Sequence, residues 1–411
     1  MYSKLYFRRS TWLILIIFSG IFSLTECINK EDNKQGSIPP GYKQFTGSAS
    51  CASCHKDIYQ HHIHTAHFIT FQPANRSTVE GTADTVKNIY YFNPSLYVAV
   101  EKADTSLYQV AYLNKERKLA HRMDIVIGSG VKGQSYVYWQ HSFLYQMPLT
   151  YYSFAHQWGN SPGYPNKVQF NRPITSRCLE CHTTFAERIK DAEEDQEKFN
   201  SQRIIYGVDC EKCHGPGLKH VEFQTNNPNE KQGKFIINPA TFTRQQKLDL
   251  CALCHGGRMT KTKPSFSFVS GNSLSDYFDL DTSQRTVDYR NIDVHGNQYG
   301  LLRASKCFRF TNTLTCNTSH NSHENERGNI TLFSQRCMSC HNEQHKNFCT
   351  FKTTAISIKN NCIDCHMPSM PSKAIIIVSP EQNRVMAAQF RSHYIAIYKD
   401  ETNKFLQKNK K

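Results

Sequence analysis

Cysteine and histidine recur in this chain at one fixed spacing. Six times, two cysteines stand three positions apart with a histidine directly after the second: Cys51-Ala-Ser-Cys54-His55, Cys178-Leu-Glu-Cys181-His182, Cys210-Glu-Lys-Cys213-His214, Cys251-Ala-Leu-Cys254-His255, Cys337-Met-Ser-Cys340-His341 and Cys362-Ile-Asp-Cys365-His366. On a tight turn, two thiols so spaced can each form a thioether to one haem vinyl group, and the next residue then lies over the iron as its proximal ligand. With 16 cysteines and 19 histidines in 411 residues, random order would supply only roughly 0.03 such sequences. Other uses of CxxC explain less. Pairs of CxxC build zinc ribbons, but a ribbon does not require a histidine after every second cysteine. Disulfides inside CxxC loops are usually redox-active rather than structural. The pattern predicts six haem c groups, one per site.

A seventh place repeats the spacing with one change. Cys316-Asn-Thr-Ser319-His320 carries serine where the second cysteine would stand, and Asn321, Ser322 and His323 follow at once. A single thioether could hold a candidate seventh haem at Cys316/His320. Otherwise His320 or His323 serves a neighbouring haem, and Cys316 joins Cys307 and Cys349 as a candidate disulfide partner.

A low-potential haem usually takes a second histidine, and thirteen histidines remain after the six proximal ones. His61, His62, His64 and His67 crowd one stretch, from which at most two are expected to reach iron. His220 lies six residues after His214, too close to serve the same haem, so it is expected to reach another. His295 and His393 are isolated from any attachment site. A lone histidine is ordinarily a hydrogen-bonded core residue, but six irons needing partners reverse that expectation.

These sites must be held by something. After a polar linker, the stretch KDIYQHHIHTAHFITF reads as helical. Residues 88–152 then alternate apolar and polar side chains in SLYVAV, LYQVAYL, HRMDIVIG and QSYVYWQ, broken at Asn93-Pro94, Lys102-Ala103-Asp104, Asn114-Lys115 and Gly128-Ser129-Gly130. That is the pattern of an antiparallel β meander. Charged residues from Ala186 to Phe199 suggest an exposed helix. The expected fold class is α+β, with short helices behind each haem site and much loop. The divisions are a leader at 1–26, a linker at 27–46 and a first haem segment at 47–87. A haem-free β-rich insert follows at 88–171, then a three-haem segment at 172–263 and a connector at 264–335. A two-haem segment at 336–399 and a basic tail at 400–411 complete the chain.

The leader sets the compartment. Lys4, Arg8 and Arg9 precede an apolar run from Trp12 to Leu24, too short for a comfortable membrane span but suited to a signal peptide. Cys27 follows, so the mature chain is either lipid-anchored there or exported without an anchor; Glu26 counts against lipidation, because a small residue normally precedes a lipidated cysteine. The chain is expected in the periplasm, or at a membrane facing the periplasm or cell surface. Net charge is +15, and removing 1–26 takes three positive charges and one negative. Such an excess ordinarily suggests nucleic acid. Here two propionates per haem offer the basic side chains a better partner, and no nucleic acid is expected.

The stretches CASCHKDIYQHHIHTAHF, GVDCEKCHGPGLKHV, LCALCHGG and CIDCHMP resemble those of multihaem c-type cytochromes related to the tetrahaem electron acceptor of hydroxylamine oxidoreductase. The last also resembles the CHMP site of pentahaem nitrite reductases. The resemblance covers residues 47 to 398 in patches. It implies that His67, His220 and His393 occupy places where such proteins keep distal ligands, with His295 and His323 similar. The chain departs from the pattern at Ser319 and has no CxxCK site, the lysine-ligated catalytic haem of many nitrite reductases. Electron transfer between redox partners of a respiratory chain is the favoured function. The alternative is an oxidoreductase acting on a small nitrogen or sulfur oxyanion at a five-coordinate haem. No GxGxxG, P-loop, GxSxG or HExxH pattern stands out.

Overall fold

The computed structural model describes residues 41–408 apart from 82, 84–85, 190–195, 281–291, 346–347, 350, 352–357 and 380–383. The leader, Cys27 and most of the linker lie outside the described residues. The fold is mixed α+β, with short helices set among several antiparallel sheets.

Alternation in the sequence becomes pairing. Strands β2 (Ile89–Tyr91), β3 (Leu96–Ala103), β4 (Ser106–Leu113) and β5 (Glu116–Arg122) form a four-stranded meander in sequence order. Two-residue turns set its register, as at Asn114-Lys115, where φ is 52 and 68°. Both residues left-handed is the type I′ geometry that matches strand twist. Val98, Val100 and Ala111 turn inward against Met147, Leu149 and Trp158.

The remaining strands of the predicted meander leave it for a second sheet. Its strands are β1 (Phe71–Pro73), β6 (Ile125–Ile127), β7 (Ser135–Gln140), β8 (Phe143–Gln146) and β11 (Arg172–Pro173), side by side in that order. Both edge strands come from chain flanking the 88–152 stretch. β1 follows directly on His67 and the 3-10 turn Phe68–Thr70, and β11 runs into the helix Ser176–His182 that bears the second CxxCH. The sheet thus fixes two histidine-bearing segments at its opposite edges, over a core of Phe71, Ile125, Val137, Leu144, Leu179 and Phe199.

Two expectations about local structure are corrected. The helix after the first site runs only over Lys56–His62, so His64 and His67 lie beyond its end and share no helical face. Of the charged stretch 186–199, residues 190–195 lie outside the described residues, and the described ends are strand rather than helix, Phe185–Ile189 pairing with Lys198–Ile205. Phe185, Ala186 and Phe199 are buried there, as a strand packed on a core requires. A further hairpin, Ser369–Ser379 with Arg384–Arg391, carries the chain from the last CxxCH to His393.

One carboxylate ties the first site to the third. Glu211, inside the Cys210–His214 helix and 3% exposed, accepts hydrogen bonds from the backbone N–H groups of Thr46 (3.0 Å), Gly47 (2.8 Å) and Gly217 (2.7 Å). The chain entering Cys51 is therefore held against the turn that bears Cys213.

Candidate haem sites

Each CxxCH adopts a helical turn. The histidine N–H donates to the carbonyl of the first cysteine at His55–Cys51 (2.8 Å), His341–Cys337 (2.9 Å) and His366–Cys362 (3.0 Å). The other three sites end helices: Ser176–His182, Cys210–His214 and Arg244–His255. Asp209 caps the second of these by accepting from Cys210 N, and Thr243 with Gln246 closes a capping box on the third. This brings both thiols and the imidazole to one side of a short turn, as attachment of one haem requires.

The sites also meet one another. Thiols of different sites lie in hydrogen-bond contact in the pairs Cys51/Cys210, Cys181/Cys254, Cys251/Cys316 and Cys337/Cys362. All fifteen described cysteines are free thiols. Among the described residues, no group of three or more His, Cys, Asp or Glu side chains converges on one point.

Two imidazoles on opposite faces of one metal would place their ring centres roughly 6.3 Å apart, given metal–nitrogen bonds of about 2.0–2.1 Å and a ring centre about 1.1 Å further on. Ring centres are 6.1 Å apart for His67 and His255, 6.1 Å for His214 and His323, and 6.1 Å for His320 and His393. His323 also lies 6.2 Å from His62, and His62 donates Nε2–H to the Val208 carbonyl at 3.2 Å. His62 is packed at 7% exposure, and its Nδ1 is buried with no hydrogen-bond partner among the described residues, so the lone pair on that nitrogen is left for a metal. His61 pairs with Glu324 at 2.9 Å, beside His323.

Second partners fix the rings. Carbonyls accept from Nδ1 of His214 (Ile237, 2.9 Å), His220 (Lys234, 2.8 Å), His366 (Ala396, 2.9 Å) and His393 (Arg391, 3.3 Å). A carbonyl can only accept, so in each case the proton sits on Nδ1 and the Nε2 lone pair is left for a metal. His182 Nδ1 meets the Thr70 hydroxyl at 3.0 Å, and His255 Nδ1 meets Gln298 at 3.3 Å. Thr70 and Gln298 carry no signal in the sequence, because each reaches its histidine across tens of residues.

His295 lies close enough to His182 to lower its pKa by like charge, after the larger effect of burial. His220 is oriented for ligation, its Nδ1 tied to the Lys234 carbonyl. His121 stacks on Tyr138 at 3.9 Å, and His141 and His156 occupy turns with φ of 56 and 50°; all three belong to the sheets.

Burial holds His67, His182 and His393 down to a pKa of about 4, with neighbouring histidines adding to the effect.

Comparison with known proteins agrees with this geometry. Residues 160–215, which contain the second and third CxxCH, match the family Cytochrome c554 and c-prime. The fold is similar to the crystal structure of the outer cell wall cytochrome OcwA, with a TM-score of 0.52 at 16% identity, covering 88% of this chain and 81% of that one. No curated protein matches the sequence. The family match covers the part of the chain that holds the second and third CxxCH, and the likeness to OcwA is one of fold.

Proposed function

We propose that this chain is a multihaem c-type cytochrome that transfers electrons between redox partner proteins of a respiratory chain, outside the cytoplasm. Six haem c groups are assigned to Cys51/Cys54, Cys178/Cys181, Cys210/Cys213, Cys251/Cys254, Cys337/Cys340 and Cys362/Cys365, with His55, His182, His214, His255, His341 and His366 as proximal ligands. His67 and His323 are assigned as distal ligands opposite His255 and His214. His295 is assigned to the site of His182, and His220 to another haem.

The observation that carries this reading is the 6.1 Å pairing of His67 with His255 and of His214 with His323. A haem iron held by imidazole on both faces changes oxidation state without offering a position to substrate. The chain's own part is to hold those imidazoles. Nδ1 hydrogen bonds keep each ring turned and raise its basicity as a ligand. Contacts between neighbouring CxxCH turns keep successive groups close. The basic excess of the chain, +15 before any haem is counted, supplies partners for propionates and attracts acidic redox partners.

Export is supported by the signal-like leader at 1–26 and by the likeness to a cytochrome named for the outer cell wall. Among the described residues no helix is long and apolar enough to cross a membrane, so attachment to a membrane would run through lipid on Cys27. The motifs resemble those of the tetrahaem electron acceptor of hydroxylamine oxidoreductase, which supports a role as an electron acceptor.

Spectroscopy of the purified, reduced holoprotein tests the function. Low-spin haem throughout, with no reaction with carbon monoxide or nitrite, is expected. A high-spin component that vanishes on adding nitrite, hydroxylamine or sulfite would instead make the chain an oxidoreductase.

A further inference from the structure

The serine at 319 removes one thiol from the seventh place, yet nothing else there has lost the form of a haem site. Cys316–Thr318 is a helical turn, and His320 N–H donates to the Cys316 carbonyl at 2.9 Å. The corresponding bonds are 2.8 Å at Cys51/His55 and 2.9 Å at Cys337/His341. At its start the Thr318 hydroxyl accepts from Thr315 N–H at 3.0 Å, and Thr318 N–H donates to the Thr315 carbonyl at 3.2 Å.

Two independent contacts place this turn among the attachment sites. The Cys316 thiol touches that of Cys251, the same first-cysteine to first-cysteine meeting found at Cys51/Cys210 and Cys337/Cys362. His320 faces His393 with ring centres 6.1 Å apart and planes 31° from parallel. His393 is brought there by the hairpin Ser369–Arg391, and its Nδ1 is tied to the Arg391 carbonyl, leaving Nε2 toward His320. Arg336, paired with Glu326, donates to the Ser319 carbonyl at 2.7 Å, fixing the serine itself.

We infer that Cys316, His320 and His393 hold a seventh haem, attached through one thioether and ligated on both faces by histidine. This rests on the reading of the chain as a haem c protein. The attachment is an addition: the Cys316 S–H adds across one vinyl double bond, sulfur bonding to one carbon and hydrogen to the other. No oxidant or reductant is consumed, and the whole mass of the haem is gained. The second vinyl group, with no thiol at position 319, stays intact and conjugated with the ring.

Proteolysis of the purified holoprotein followed by mass spectrometry reads the site directly. The peptide containing Cys316 should carry one haem, and the intact chain should carry seven. The alkaline pyridine spectrum should contain one part in seven absorbing at longer wavelength, from the remaining vinyl. Cys316→Ser should lower the covalent count from seven to six. Ser319→Cys should keep seven and abolish the long-wavelength component, a result that does not depend on losing a residue. A Cys316 peptide free of haem overturns the inference. If the six CxxCH peptides are then loaded, the electron-transfer reading stands; if they too are bare, both fail.

Discussion

Replacing His67 by glycine should convert one low-spin haem into a high-spin haem that binds a single carbon monoxide per chain, with the number of haems unchanged. Covalent attachment at Cys251 and Cys254 does not involve His67, which faces His255 at 6.1 Å. The backbone at 67 is held separately: its carbonyl accepts from Val208 N–H at 2.9 Å, and the strand Phe71–Pro73 beyond it is locked into the sheet by register with Ile125–Ile127. Loss of the side chain should therefore open a coordination position without unfolding the segment. Added imidazole should restore the low-spin spectrum. His64→Gly, at an exposed position three residues earlier, is the control and should leave the spectrum alone. Should His64→Gly produce the high-spin haem and His67→Gly not, the ligand assignment is wrong.

Glu180→Ala should destabilise the folded holoprotein by about 3–5 kcal/mol, the usual cost of removing one partner from a buried ion pair. Glu180 is 1% exposed. Its carboxylate accepts from Lys261 Nζ at 2.7 and 2.8 Å, from Arg177 at 3.0 Å and from Phe266 N–H at 2.8 Å. Without it, Lys261, whose pKa burial already lowers, would be left in the interior beside the Phe278 ring with no anion. Denaturant midpoints measure the loss. Lys118→Ala, which breaks an exposed pair with Glu116, should change stability by less than about 1 kcal/mol. Equal effects from the two substitutions would mean that Glu180 has no such role.

Glu180 also shows where sequence reasoning stops. Between Cys178 and Cys181 it reads as a filler residue of CxxCH, and nothing nearby in the chain announces that Lys261 and Phe266, more than eighty positions away, close on it. The attachment sites are legible because haem chemistry confines them to five consecutive residues. The sheets are partly legible for a similar reason: the turn at Asn114-Lys115 and the alternation of 96–113 are local. Second histidines are a different matter. His67 meets His255 and His320 meets His393 across long stretches of chain, so their identity depends on packing that no short window contains. His62 and His67 look equivalent in the run HHIHTAH, yet only the fold shows that the Val208 carbonyl takes the Nε2 proton of His62. The misread hairpin at 185–205 follows the same logic, since its charged residues obscure three apolar positions that the core claims.

The close approach of thiols from different sites bears on how such a protein can be made. Cys51 beside Cys210 and Cys337 beside Cys362 are good partners for oxidation in any compartment that favours disulfides. A chain that folded first and received its haems afterwards would risk cross-linking its own attachment sites, each bridge disabling two at once. Biogenesis must then run in a set order, with thiols kept reduced and capped by haem before the final fold brings neighbouring turns together.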